Sequence, residues 1–354
     1  MTPLPACPLP VIPPTNDSRG PTAFPATPIL DPQESNVVSL AEASQTTQDV
    51  GCLFRHSGWR ADRSRVEQAL SELGSLTPEP GAPAVGSRRL LAFQQCGADA
   101  YVEQCTYAAS TPNPRIEYRL RTACCKDRFC VPCSNARASR IRSSLLEHMH
   151  GKEKLSLITL TLKADGQSLI TILDRAYAHF RSLRSLDLWR RAVHGGAAII
   201  EAKVGKDGKR WNVHWHIVAE AGYLDKTDLS RAWLTITGDS FIVDIRRVGS
   251  LGGAVSYVTK YVTKAADSQV VRSPRHLREA ILGFIGRRLV TTFGTWRGLQ
   301  LLKDYDHDHP HQAPETAWQH VARLQDLVHA SLTDPGALHI LKQVFPRTRF
   351  IESG

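Results

Sequence analysis

Two apolar runs joined by a short polar link constrain this chain more than any other feature. Residues 197–204 (AAIIEAKV) and 211–219 (WNVHWHIVA) are rich in β-branched, aromatic and small apolar residues, as buried strands are. The link GKDGKR carries an Asp207-Gly208 turn signal. A link this short cannot hold a crossover helix, so the two strands must run antiparallel. Strand patterns also occur at 155–162 (LSLITLTL) and 241–248 (FIVDIRRV). Helical periods alternate with them: Leu169, Leu173, Ala176, Phe180 and Leu183 keep one, and residues 226–234 and 254–265 predict two more. The expected fold is α+β, with a central, mostly antiparallel β-sheet and flanking helices, rather than a doubly wound parallel fold.

In a chain of 354 residues, this core is expected over residues 151–305. Residues 1–86 are rich in Pro, Ser and Thr and read as a disordered tail, with one short helix around Val66, Leu70 and Leu73. Residues 87–150 hold a cysteine-rich module and a basic helix over 135–149, with Ala138, Ile141, Leu145 and Met149 on its apolar face. Within that stretch RIEYRLR at 115–121 alternates as a strand does. Residues 306–354 read as a loop and a helical extension, the helix spanning 315–328 with Trp318, Val321, Leu324 and Val328 apolar. No run approaches the ~18 apolar residues of a membrane span. The start, Met1-Thr2-Pro3-Leu4-Pro5, lacks the basic residues of a signal peptide. A cytoplasmic protein without membrane contact is expected; no pattern fixes its oligomeric state. Lys and Arg number 44 against 34 Asp and Glu, a net charge of +10 that favours a polyanionic partner.

His214 and His216 stand two apart on a strand, so they leave the same face, about 7 Å apart. They can converge on one ion, with a carboxylate to complete the set and positions left for substrate oxygens. Glu201, on the preceding strand of the hairpin, is the best-placed carboxylate. Taken alone, such a pair is two ordinary half-buried histidines. The stretch Asp306-His307-Asp308-His309-Pro310-His311 holds more donors, but it lacks apolar flanks and reads as a solvated loop.

Residues 257–264 read YVTKYVTK. On a helix, four-residue spacing places Tyr257 and Tyr261 on one face and Lys260 and Lys264 on an adjacent one. A phenol is a poor nucleophile at pH 7 because its pKa is near 10. It can attack a phosphodiester when a metal polarises the phosphate and cations stabilise the developing charge. Alone, this pattern is core packing with lysines in solvent.

Cys125-x4-Cys130-x2-Cys133 places three thiolates at metal-ligand spacing. A closed zinc site needs a fourth ligand, open here among Cys96, Cys105 and Cys124. Residues 115–154 carry ten Lys and Arg against four Asp and Glu. That excess, including Arg128, Arg137 and Arg140, could grip phosphates.

Taken in order, ITLTL at 158–162, HWH at 214–216 and YVTKYVTK at 257–264 resemble the three motifs of HUH endonucleases. More closely, residues 90–300 resemble the two-tyrosine rolling-circle replication initiators (Rep proteins) of plasmids and phages. The segment RRLVTTFGTWRG at 287–298 resembles the one that follows the tyrosine helix in those proteins. The resemblance implies an HUH-like, split βαβ domain preceded by a small zinc-binding module. It implies His214 and His216 as ligands of Mg or Mn, Tyr261 as primary nucleophile, Tyr257 as second nucleophile, and Lys264 at the scissile phosphate, with Lys260 beside it on the DNA. Tyr257 stands where a one-tyrosine group has a Glu. Cys96-Gly97 resembles that group's upstream cysteine and Arg128-Phe129-Cys130 its Arg-x-Cys, so Cys96 is selected as the fourth zinc ligand. The implied activity is site-specific nicking and rejoining of single-stranded or hairpin origin DNA, with a host helicase and polymerase as partners. A two-tyrosine transposase would share this chemistry. A zinc-containing regulator would bind DNA without cutting it.

Overall fold

The computed structural model describes residues 37–46, 49–77, 83–107, 115–205, 207–254, 268–302, 317–346 and 348–351. Its strands are β1 (Val37–Ser39), β2 (Tyr101–Tyr107), β3 (Arg115–Arg121), β4 (Leu155–Thr161), β5 (Val193–Val204), β6 (Trp211–Ala221), β7 (Val243–Arg247), β8 (Val290–Gly294), β9 (Gln319–Arg323) and β10 (Arg349–Ile351). Helices α1 (Leu40–Gln45), α2 (Val50–Arg55), α3 (Arg60–Ser75), α4 (Ser87–Gln94), α5 (Val131–Met149), α6 (Leu169–Ser185), α7 (Asp187–Ala192) and α8 (Lys226–Thr237) are followed by helices at Ser268–Arg272, Pro274–Gly283, Leu324–Ala330 and Pro335–Val344. The chain forms two compact units, Ala61–Gln94 with Cys125–Tyr305, and Met1–Arg60 with Gln95–Cys124 and Asp306–Gly354. The architecture is α+β with antiparallel main sheets.

The first unit is built on a five-stranded sheet of order β7-β4-β6-β5-β8. Every neighbouring pair is antiparallel. Because β4 and β5 both oppose β6, they run parallel to each other, and α6 and α7 connect them. This is a βαβ unit split by the insertion of β6. The β5–β6 turn closes as its residues dictate. Gly205 N–H donates to the Arg210 carbonyl at 2.8 Å, and Asp207 Oδ1 accepts from the Lys209 and Arg210 amides. Gly208 takes φ +65, where a side chain would be strained.

Helices cover both faces of this sheet. α6 begins at Ser168, whose hydroxyl accepts from Thr171 N–H, and buries Leu169, Ile172, Leu173, Ala176, Phe180 and Leu183. Its Phe180 ring stacks on Trp215 at 4.8 Å, and the Trp215 indole donates to the Ala176 carbonyl at 3.2 Å. On the same face, α8 sends the Trp233 indole to the Thr161 carbonyl at 2.9 Å. α5 packs on the opposite face, its Ala138, Ile141, Leu145 and Met149 meeting Ala197, Ile199 and Val218. It starts at Val131, four residues before the expected 135, with Pro132 in its first turn, where a missing N–H costs nothing.

The second unit holds a three-stranded antiparallel sheet, β3-β2-β9, and a parallel pair, β1-β10. Its core gathers Val38, Leu40, Phe54, Val102, Leu324, Val328 and Leu341. This corrects two expectations. Residues 37–60, expected within a disordered tail, form β1, α1 and α2, because their few apolar side chains are buried among residues near the other end of the chain. Residues 319–323, expected to be helical, form β9, because they pair with β2 (Tyr101 with Arg323, Val102 with Ala322) before the helix begins at Leu324. The expected short helix around Val66 runs the full length of α3. Residues 1–36 of the expected tail, and 255–265 of the expected tyrosine helix, lie outside the described residues. Among the described residues no helix is long and apolar enough to cross a membrane.

Leu173 of α6 is fully buried, beside Gly283 of the helix Pro274–Gly283. Leu173→Ala should lower unfolding stability by about 2–5 kcal/mol in urea titrations. A loss under about 0.5 kcal/mol, the range of surface sites, would contradict this packing.

Candidate functional site

The hairpin register decides what faces the histidines. Glu201 is directly opposite His214 and Ile199 opposite His216, while on the other side Thr161 opposes His214 and Thr159 opposes His216. Directly opposed residues share a face, so Glu201, His214, His216 and Thr161 all project from the side that α5 partly covers. Glu201 reaches diagonally: its Oε2 lies 2.9 Å from His216 Nε2. His214 Nδ1 lies 3.1 Å from Thr161 Oγ1, and the two imidazole rings are 6.0 Å apart. Glu201 is 2% exposed, and a carboxylate so buried is stable only with a partner, which His216 supplies. His214 is half-buried.

The set offers two imidazole nitrogens and one carboxylate oxygen, a donor combination suited to a divalent ion with open positions. Glu201 and His216 bond to each other directly, and the trio is not gathered as tightly as the cysteines below. An ion held here would replace that hydrogen bond with coordination from both residues. Tyr257, Lys260, Tyr261 and Lys264 lie outside the described residues, as does the stretch from Asp306 to His311.

The ligand atoms of Cys96, Cys125, Cys130 and Cys133 all lie within 4.8 Å of one another. Cys125 and Cys133 sulfurs are 3.7 Å apart. A disulfide would hold them at about 2.05 Å. Two ligands of one tetrahedral ion with ~2.3 Å bonds stand about 3.8 Å apart, close to what is seen. Local structure explains the convergence. Gly97 at φ +100 and Lys126 at φ +56 turn the backbone sharply beside two of the thiols. Asp127 N–H donates to Cys125 Sγ at 3.4 Å, and the Asp127 carboxylate accepts from Phe129 N–H and from Arg89. Cys130 caps α5 and Cys133 lies in its first turn, where the helix dipole favours thiolate. Four such thiolates can hold a metal ion. Cys105 instead sits in β2 opposite Glu117, and Cys124 Sγ accepts from Arg55 at 3.3 Å.

Two of the three arginines singled out for phosphate contact donate to backbone carbonyls. Arg128 donates to the carbonyls of Phe284 and Arg287, tying down the end of the helix Pro274–Gly283. Arg137 donates to the Lys126 carbonyl at 2.7 Å, bracing the cysteine turn. Burial, then the charge of a neighbouring arginine, pushes both guanidinium pKa values down. Arg140 is half-buried on α5. Sequence reasoning read all three as phosphate contacts; the carbonyl acceptors of Arg128 and Arg137 leave no mark in a sequence. It also passed over Thr161, whose contact with His214 was implicit in pairing ITLTL with HWH. Searches of protein-family models, curated proteins and solved structures found no match to this chain.

The purified chain should carry about one thiolate-bound metal ion per molecule, measured by elemental analysis under reducing conditions. Cys96→Ser and Cys130→Ser should lower occupancy and the thermal midpoint together. Cys105→Ser should leave occupancy unchanged. Full metal content in Cys96→Ser would remove Cys96 from the ligand set.

Proposed function

We propose that this chain is a metal-dependent, tyrosine-using nickase of single-stranded DNA that initiates rolling-circle replication. The observation that carries the reading is the meeting of Glu201, His214 and His216 on one face of a split βαβ sheet. In sequence that set is followed by Tyr257-x3-Tyr261 with Lys260 and Lys264, the order that the HUH resemblance requires. The reading assigns the catalytic ion, Mg or Mn, to those three residues, where it would polarise the scissile phosphate. It assigns a structural zinc to Cys96, Cys125, Cys130 and Cys133, whose spacing suits a closed tetrahedral site.

Chain residues carry the remaining steps. Thr161 holds His214 in one ring orientation through Nδ1. The Tyr261 phenolate oxygen bonds to phosphorus, the bond from phosphorus to the 3′ oxygen breaks, and that oxygen takes a proton to become a free 3′-OH. The strand stays attached as a 5′-phosphotyrosine, and Lys260 and Lys264 stabilise the charge on phenolate and phosphate. A 3′-OH attacking the same phosphorus reverses the step, releases the phenol and reseals the strand. Tyr257 would allow a second transesterification in one site. The sequence has no Gly-x4-Gly-Lys-Ser/Thr phosphate loop, so strand opening would fall to a host helicase, and synthesis to a polymerase.

The test is a denaturing gel of the protein with single-stranded origin DNA and Mn or Mg. A metal-dependent protein–DNA adduct is expected. It should vanish in Tyr257→Phe/Tyr261→Phe and form at least about a hundredfold more slowly in His216→Ala. Cleavage without an adduct, persisting in the double variant, would mean a water-using nuclease. Tight binding with no cleavage by metal-loaded protein would move the assignment to a DNA-binding regulator.

A further inference from the structure

The first unit contains a groove of about 650 Å³ that follows β8, the edge strand of the five-stranded sheet. One bank is α5 and the other is α6. Six arginines line it: Arg128, Arg137, Arg181, Arg184, Arg288 and Arg297. No Asp or Glu lines it among the described residues.

Elsewhere in this unit several arginines meet carboxylates: Arg175 with Asp165 and Asp239, Arg287 with Asp174, Arg275 with Glu279, Arg278 with Glu72. Among the described residues, Arg181, Arg184, Arg288 and Arg297 form no ion pair, and three of them are exposed. Arg184 is held in place by ring faces, 5.0 Å over Phe180 and 5.7 Å over Phe293. Burial, followed by the charges of Arg297 and Arg181, pushes its pKa down. Like charges gathered without counter-charge raise the free energy of the empty groove, and an anion relieves that repulsion.

The groove also has an apolar lining beside its cations. Leu289, Val290, Leu299 and Leu301 line it, with the Thr291 and Thr292 hydroxyls on the edge strand. A ligand that carries both phosphates and flat apolar rings suits this combination, and a nucleic-acid strand with its bases unpaired is such a ligand. A duplex hides its bases and would leave the apolar lining uncovered. We infer that the groove along β8, between α5 and α6, binds the backbone of single-stranded DNA through Arg181, Arg184, Arg288 and Arg297. This deepens the nicking reading and rests on it for the choice of DNA, but binding can be measured apart from chemistry.

The experiment is fluorescence anisotropy with a labelled oligothymidylate, in EDTA so that no strand is cut, across a salt series. Arg181→Ala/Arg297→Ala removes two exposed side chains and should fold normally. It should weaken binding at least about tenfold and flatten the slope of log affinity against log salt by about 1.4, two phosphate contacts at ~0.7 each. Arg184→Lys keeps the charge and should retain most of the affinity. Arg231→Ala, an exposed change on α8, should match wild type. Wild-type affinity and slope in the double variant would overturn the groove assignment, whatever the adduct gel shows. So would preference for duplex over the single strand. Arginine-dependent binding by a chain that never forms an adduct would keep the groove and sink only the nicking chemistry.

Discussion

Pairing of β5 with β6 is the constraint on which the first unit depends. The two strands pair from Val193 with Ala221 to Val204 with Trp211, in the middle of the sheet, and each also carries an outer neighbour. Their register is held in part from the side away from the histidines. Trp215, Ile217, Ile200 and Ala198 are buried there, and Trp215 is locked by Phe180 and by its bond to the Ala176 carbonyl. A one-residue slip would turn these side chains to the other face, out of their packing with α6 and into the space that α5 and the polar set occupy. The same slip would part Glu201 from His214 and His216. The polar set is therefore positioned by apolar residues that never touch it. Asp207 and Gly208 add to this by fixing the turn from which the register counts.

What could be read from the sequence divides along the same line. The β5–β6 hairpin, α6 and the shared face of Glu201, His214 and His216 rest on local signals: alternation, a turn dipeptide, a 3.6-residue period. The second unit rests on distant ones. Val38, Leu40 and Phe54 are too few to announce a core, and their neighbours Leu324 and Leu341 lie near the other terminus. Trp318, Val321 and Leu324 keep a helical spacing, yet β2 captures residues 319–323 as a strand, because edge pairing outweighs weak propensity. The cysteines fall between these cases. Three are adjacent enough to be read as ligands. Convergence of the fourth, Cys96, depends on backbone turns at Gly97 and Lys126 that spacing alone does not encode.

Arginine shows why composition stops short of function. The net charge of +10 is a sum over residues in different situations. Arg128 serves as an internal donor to carbonyls, Arg175 and Arg287 sit opposite carboxylates, and Arg119 is buried against Glu103 and the Trp318 ring. Exposed ion pairs of this kind add little stability, but they neutralise the local field. Arg181, Arg184, Arg288 and Arg297 are among the arginines left without such a pair among the described residues, and they share one groove. Much of the charge excess at 115–154, conspicuous in the sequence, is consumed internally, whereas these four come from two separate stretches, 181–184 and 288–297, that the fold brings to one groove.

The groove and the polar set are linked through β5. Ile199 pairs with His216 on one side and Val290 on the other, so the edge strand and the histidine strand are two steps apart, about 10 Å. Val290 lines the groove and projects from the same sheet face as His216. A strand seated along β8 would therefore need to cross only β5 to bring a phosphate to Glu201 and His216. Ile199 and Ala197, the residues it would pass, are buried with Ala138, Ile141 and Leu145 of α5, so a strand could not cross β5 at these positions without displacing core packing.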